Sequence, residues 1–163
     1  MRINKYIASA GVCSRRKADE LIANGNVKIN GEVVTHLGTD VGEYDVVEVN
    51  GRKMKSEGKK VYVAVNKPLG YITSMNDEKN RATVADLVTD IQERIFSVGR
   101  LDYNTTGLLI MTNDGDLAYR ISHPKHRIYK TYIVKAEGIV SDTKIAKLRK
   151  GVDIGGFMTS PAK

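Results

Sequence analysis

The chain has 163 residues, 41% of them hydrophobic, which excludes an intrinsically disordered protein and allows one ordinary domain or two small ones. A single cysteine, Cys13, excludes an intrachain disulfide and a Cys-rich zinc site; no apolar run approaches the ~20 residues needed to span a bilayer, and the N-terminus lacks a signal-peptide core, so a cytoplasmic location is expected. The 26 Lys and Arg against 19 Asp and Glu, a formal charge of +7 and a pI near 9.4, favour a polyanionic partner, nucleic acid foremost, although a basic pI by itself also serves solubility.

Taken in chain order, Ile3, Tyr6, Ile7 and Ala10 lie at helical spacing and Gly11 closes a first short helix. Ser14 is an N-cap for a second helix with an apolar stripe at Ala18, Leu21 and Ile22 and an exit at Asn24-Gly25. Val27 and Ile29 alternate with Lys28, Asn30-Gly31 is a hairpin turn, and the chain returns through Val33 and Val34 before a third extended run at Asp45 to Val49. Arg52 to Lys60, RKMKSEGKK, is basic and aperiodic, and predicts a linker. Beyond it the pattern predicts a strand at Val61 to Val65, a turn at Lys67-Pro68-Leu69-Gly70, and a helix capped by Thr83 and running through Ala85, Leu87 and Val88. Strands follow at Ile95 to Val98 and Leu108 to Met111. Asn113-Asp114-Gly115 opens a short helix that ends before His123-Pro124, Tyr132 to Val134 is a further strand, and Ser141 caps a helix that stops at Gly151. The fold class expected is α+β in two domains, residues 1–57 and 61–163, the second built on a mixed, mainly antiparallel sheet with flanking helices.

Arg15, Arg16 and Lys17 occupy the first turn of the second helix, where the macrodipole disfavours cations. The free backbone N–H groups there suit an anion, so three cations beside them make a phosphate site; a solvated charge run is the plainer reading, and Arg2, Lys5 and Lys28 nearby weigh against it. The run Ser14-Arg15-Arg16-Lys17-Ala18-Asp19-Glu20, followed by Gly25-Asn26-Val27-Lys28-Ile29-Asn30-Gly31, resembles the αL RNA-binding module of ribosomal protein S-four, which is also found on rRNA-modifying enzymes and tRNA synthetase tails. The resemblance covers roughly the first fifty residues and implies binding to structured RNA, with Ser14 and Asn30 joining those cations as contacts.

The stretch Gly99-Arg100-Leu101-Asp102-Tyr103-Asn104-Thr105-Thr106-Gly107-Leu108-Leu109 carries a charged pair between two predicted strands. In an extended segment Arg100 and Asp102 leave the same face, and a carboxylate beside a guanidinium stays ionised, which suits a nucleophile or base; from spacing alone an ordinary surface ion pair in a turn is the plainer reading. The whole segment resembles the signature of RsuA/RluB-type pseudouridine synthases, G-R-L-D-x-x-T-x-G-L-L followed by T-N-D-G, an H-P pair and K-x-Y, here Thr112-Asn113-Asp114-Gly115, His123-Pro124 and Lys130-Thr131-Tyr132. An earlier K-P-x-G, Lys67-Pro68-Leu69-Gly70, matches as well, and linked elements in the right order are far more specific than any one alone.

That resemblance implies isomerisation of a specific uridine in ribosomal RNA, leaning towards the large subunit. Asp102 is then the catalytic aspartate, attacking the ribose or the base or abstracting a ribose proton; Arg100 pairs with it or helps displace the base. Tyr132 is the aromatic plate under a flipped uracil, unless it only packs a strand, and Lys130 and Lys67 are RNA contacts. The chemistry needs no cofactor or metal. His123 and His126 lack further ligands at suitable spacing, and Cys13 reads as a small buried residue between helices. The partner expected is ribosomal RNA or a pre-ribosomal particle, not a membrane.

The last motif of the family, Q-x-R-R-M, is absent, and the chain ends Gly155-Gly156-Phe157-Met158-Thr159-Ser160-Pro161-Ala162-Lys163. The expectation is an incomplete catalytic domain with weak or no activity by itself, whose uncovered sheet edge favours self-association. The alternative is a non-catalytic RNA-binding or ribosome-associated module.

Overall fold

A computed structural model of the chain describes residues 1–55 and 58–163; Glu57, the expected end of the first domain, lies outside the described residues. By compactness it divides into two units, Met1–Ile128 and Tyr129–Lys163.

The first unit opens with α1 (Ile3–Ser9) and α2 (Arg15–Ala23). Ser14 takes extended backbone angles and its hydroxyl accepts from the Lys17 N–H at 3.1 Å, so the cap legible in the sequence forms. The inward stripe of the two helices, Ile3, Ile7, Ala18 and Ile22, is buried against Val27, Val41, Val47 and Val49. Those valines come largely from an antiparallel sheet of β1 (Val27–Ile29), β2 (Glu32–Val33), β3 (Val47–Val49) and β4 (Arg52–Lys53) in the order β2-β1-β3-β4.

Asn30-Gly31 turns β1 into β2 with both residues at positive φ, 53° and 87°, the geometry that matches strand twist in a two-residue hairpin. Asn50-Gly51 repeats it, at 49° and 76°, and folds Arg52 and Lys53 back onto β3. The predicted linker is therefore corrected at its start: β4 forms there, the Met54 N–H donates to the Val47 carbonyl at 2.8 Å, and the Met54 side chain packs on the core. Cys13 is half-buried against the same core, and burial pushes its thiol pKa up, away from a reactive thiolate.

A second sheet in this unit has the order β5-β7-β6, with β5 (Tyr62–Lys67) and β6 (Phe96–Val98) antiparallel to the central β7 (Gly107–Thr112). Alternation sets its faces: Val65, Leu109 and Met111 are buried with Val84, Val88 and Ile95, while Tyr62, Ala64, Asn66 and Leu108 are exposed. The helix predicted after Thr83 shrinks to a single 3₁₀ turn, Val84–Leu87. The Asp86 carboxylate reaches back to the Thr83 N–H at 2.7 Å, and Val84 and Val88 point into the core, so one tight turn satisfies both ends. α3 (Gly115–Ser122) follows β7, capped by Asp114, whose carboxylate accepts from the N–H groups of Asp116 and Leu117 at 3.1 and 3.0 Å.

Between β5 and the 3₁₀ turn, Asp77 gathers a loop. Its carboxylate accepts from the backbone N–H groups of Lys79 and Arg81 and takes two bonds from the Arg81 guanidinium, at 3.1 and 2.7 Å. The Arg81 side-chain bonds, then its backbone N–H, hold the Asp77 pKa well below the usual carboxylate range. A depressed folded pKa contributes stability that is complete above the unfolded value near 4 and is lost as pH falls towards the folded one. Acidification below about pH 4 is therefore expected to loosen this loop in the wild type, read by amide exchange at residues 77–83, and Asp77→Asn is expected to show the same exchange already at neutral pH.

The second unit contains α4 (Asp142–Lys150), which starts after Ser141 and stops at Gly151 as predicted, but the Ser141 hydroxyl meets Thr143 Oγ1 at 2.9 Å and caps no backbone N–H. Its C-terminal tail bends through an Asp153–Met158 bridge, and the Ala162 N–H returns to the Leu148 carbonyl at 3.2 Å. The strand predicted at Tyr132 to Val134 is not formed; the segment is irregular and Ile133 is 99% exposed. Strand propensity is realised only where another strand supplies backbone partners, and within this unit none does.

Candidate active site

The loop from Gly99 to Thr106 joins β6 to β7, and Arg100, Asp102 and Tyr103 are exposed on it. Gly99 takes φ 85° at its start, a conformation that side chains resist. A turn closes around the acid, with the Thr105 N–H donating to the Asp102 carbonyl at 3.0 Å.

Three groups from the K-P-x-G region and just beyond hold this loop by its backbone. The Gly70 N–H donates to the Tyr103 carbonyl at 3.1 Å. Thr73 Oγ1 donates to the Leu101 carbonyl at 2.6 Å and accepts from the Leu101 N–H at 3.1 Å. Lys67 Nζ donates to the carbonyls of Thr105 at 2.8 Å and Pro68 at 3.0 Å. The residues on both sides of Asp102 are thus fixed while its carboxylate faces solvent, an arrangement that presents a charged group to an incoming ligand on a rigid support. Thr73 is the functional residue that sequence reading missed, since Tyr71-Ile72-Thr73 carries no motif.

Several expectations are corrected here. Lys67, expected on RNA, is fully buried, and its ammonium cannot reach a phosphate without abandoning both carbonyls. Arg100 and Asp102 do not pair: among the described residues no ion pair joins them, because the segment is an irregular turn and not an extended strand. Asn30, also expected on RNA, uses both ends of its amide internally, donating to Asp45 Oδ1 at 2.8 Å and accepting from the Val46 N–H at 2.9 Å. Lys130 and Tyr132 are exposed and belong to the second unit.

The expected RNA-binding cations divide by partner. Arg2 faces Asp40 at 3.5 Å, Lys5 pairs with Asp116 at 2.7 Å, and Lys17 pairs with Glu20 at 2.6 Å. Arg15, Arg16 and Lys28 are exposed, and among the described residues no ion pair engages them. Ser14 serves as the helix cap. Among the described residues no group of three or more His, Cys, Asp or Glu is placed to hold a metal ion, and no helix is long and apolar enough to cross a membrane.

The model of the RNA pseudouridylate synthase family matches residues 61–158, which include the clamped loop and Asp102. The chain belongs to the RNA pseudouridylate synthase family. The S4 domain model matches residues 1–47, the two-helix and sheet region with Arg15 and Arg16. Among curated proteins the chain is 48% identical over 162 residues to ribosomal large subunit pseudouridine synthase B of Bacillus subtilis, covering 99% of this chain and 66% of that protein. It is 38% identical over 165 residues to the dual-specificity RNA pseudouridine synthase RluF of Escherichia coli, covering 100% of this chain and 56% of that protein. A crystal structure of a pseudouridylate synthase, 30% identical, superposes with a TM-score of 0.61 over 100% of this chain and 71% of its own. The chain spans about two thirds of the length of the first of these relatives.

Proposed function

We propose that the complete protein isomerises a specific uridine of ribosomal RNA to pseudouridine, with the large subunit as substrate, and that Asp102 is its catalytic residue. The observation that carries the reading is the exposed Asp102 on a loop whose flanking backbone is held by Lys67, Gly70 and Thr73. The reaction breaks the bond from N1 of uracil to C1′ of the ribose, turns the base, and forms the bond from C5 to C1′. The proton on C5 leaves to solvent and N1 gains one, so atoms balance with no cofactor. Whether the acid attacks ribose or base or removes a ribose proton, it must stand fixed and accessible beside a base drawn out of its stack. In this reading, by resemblance to the family's K-x-Y and G-R-L-D motifs, Tyr132 stacks the base, Lys130 contacts a phosphate, and Arg100, exposed two residues before Asp102, displaces the base.

In this reading residues 1–57 are the RNA-binding domain and 61–163 part of the catalytic domain, so that the chain by itself turns over weakly or not at all. The test is tritium release from ribosomal RNA labelled at C5 of uridine, comparing the chain with a chimera completed by the C-terminal third of the Bacillus subtilis relative. Release by the chimera is expected; no release by the chimera, with RNA still bound, would favour a binding module and defeat the synthase reading.

The cation pattern makes a second expectation quantitative. Lys17 already has a carboxylate partner, so Arg15→Gln with Arg16→Gln is expected to remove most of the phosphate contribution of this helix, lowering the salt slope of RNA binding by about 1.5–2. Adding Lys17→Gln is expected to change it little further, as measured by filter binding across a salt series.

A further inference from the structure

The last turn of α3 and the 3₁₀ turn after it, Pro124–His126, hold three aromatic rings around one another at the surface. Tyr119 and His123 have ring centroids 4.6 Å apart with planes at 43°, Tyr119 and His126 meet edge-on at 5.5 Å, and the two imidazoles lie 6.5 Å apart. Lys125 Nζ stands 4.9 Å from the Tyr119 ring centre, and Arg120 and Arg127 flank the group. Tyr119 is 44% exposed and both histidines are exposed.

A helix C-terminus favours cations, so the charges alone would need no ligand. The rings are different. Three aromatic groups held together in water leave a platform that the core does not use. Partial desolvation against its neighbours, then the positive charge of Lys125, lowers the His126 pKa from its usual value, which favours the neutral ring. From Leu117 to Ala136 the sequence has no carboxylate to repel an anion. π faces for stacking, with cations at the rim for a phosphate backbone, are what an unpaired nucleic-acid strand requires.

We propose that Tyr119, His123 and His126, with Arg120, Lys125 and Arg127, form a second RNA-binding surface that stacks a base of an unpaired stretch of the substrate RNA and holds its phosphates. This rests on the reading that the protein acts on RNA, and it adds a contact outside both the first-turn cations of α2 and the Asp102 loop. It gives the protein a means of selecting RNA that is single-stranded at this point.

The test uses the full chain and a short unpaired oligoribonucleotide containing 2-aminopurine, whose emission is quenched by stacking. Wild type is expected to bind and quench. Tyr119→Leu is expected to weaken binding about tenfold and abolish the quench, while Tyr119→Phe, which keeps the ring, retains both. Arg120→Gln with Lys125→Gln is expected to flatten the salt slope by about 1.4 with the quench preserved at low salt. Thermal melting of each variant separates these effects from unfolding.

Unchanged affinity and quench in a folded Tyr119→Leu variant would overturn the proposal. So would equal competition by polyphosphate, which would make the patch a simple anion site. If Arg15→Gln with Arg16→Gln removes RNA binding while Tyr119→Leu does nothing, this inference alone fails; if the wild-type chain binds no RNA of any kind, the functional reading beneath it fails too.

Discussion

Asp102→Ala in the chimera completed by the Bacillus subtilis C-terminal third is expected to reduce tritium release at least roughly a thousandfold, the order of loss when a group acting on the reacting atoms is removed. RNA affinity is expected to survive, because Asp102 is exposed and takes part only through its backbone carbonyl in the turn with Thr105. The same independence predicts an unchanged melting temperature, so the three readouts separate chemistry from binding and from folding. Asp102→Asn keeps the shape and removes the charge, and is expected to be as inactive as Ala. Pseudouridine formed by either variant at a rate near wild type would remove Asp102 from the mechanism.

The second large effect is on stability. Lys67→Met keeps most of the side-chain volume and deletes the donors that reach the carbonyls of Pro68 and Thr105. Two partly buried carbonyls then lose charge-assisted bonds, which costs about 2–4 kcal/mol, offset in part because an ammonium no longer has to be desolvated. A net loss of roughly 2 kcal/mol, or about 5 °C in Tm for a protein of this size, is expected from thermal unfolding of the chain. Because Lys67 holds Thr105, whose N–H in turn bonds the Asp102 carbonyl, turnover of the chimera should fall as well, while RNA affinity holds. A lysine serving as a surface phosphate contact would give the reverse result: unchanged stability, weaker RNA binding and a flatter salt slope.

The two predictions together distinguish a residue that meets the substrate from one that holds it in place. Thr73 belongs with Lys67. Its hydroxyl bonds both the N–H and the carbonyl of Leu101, one residue before Asp102, and nothing in its local sequence announces this. The Asp77–Arg81 loop acts one step further out: it closes the segment that pairs Ile72 with Ala82 and Val84, and Thr73 follows Ile72 directly.

The sequence by itself determined the features whose physics is confined to a few neighbouring residues. Ser14 and Asp114 cap helices because their side-chain oxygens reach N–H groups two or three residues ahead. Asn30-Gly31 turns a hairpin because both residues tolerate positive φ; Asn50-Gly51 carries the same signal, hidden in the reading by the basic run that follows it. The alternating apolar pattern placed β5, β6 and β7 within a residue or two, and the ordered motifs located the Asp102 loop. Only the tertiary structure decided where long side chains end. Lys67 looks like any basic surface residue until Thr105, 38 positions away, supplies a carbonyl, and Thr73 gains its role from Leu101, 28 positions away. Arg100 and Asp102 part because the chain between them turns, and Tyr132 to Val134 stays irregular because a strand needs a partner that its own residues cannot encode. Caps and turns are settled within one or two turns of chain, whereas burial, strand pairing and hydrogen-bond partners depend on groups that folding alone brings together.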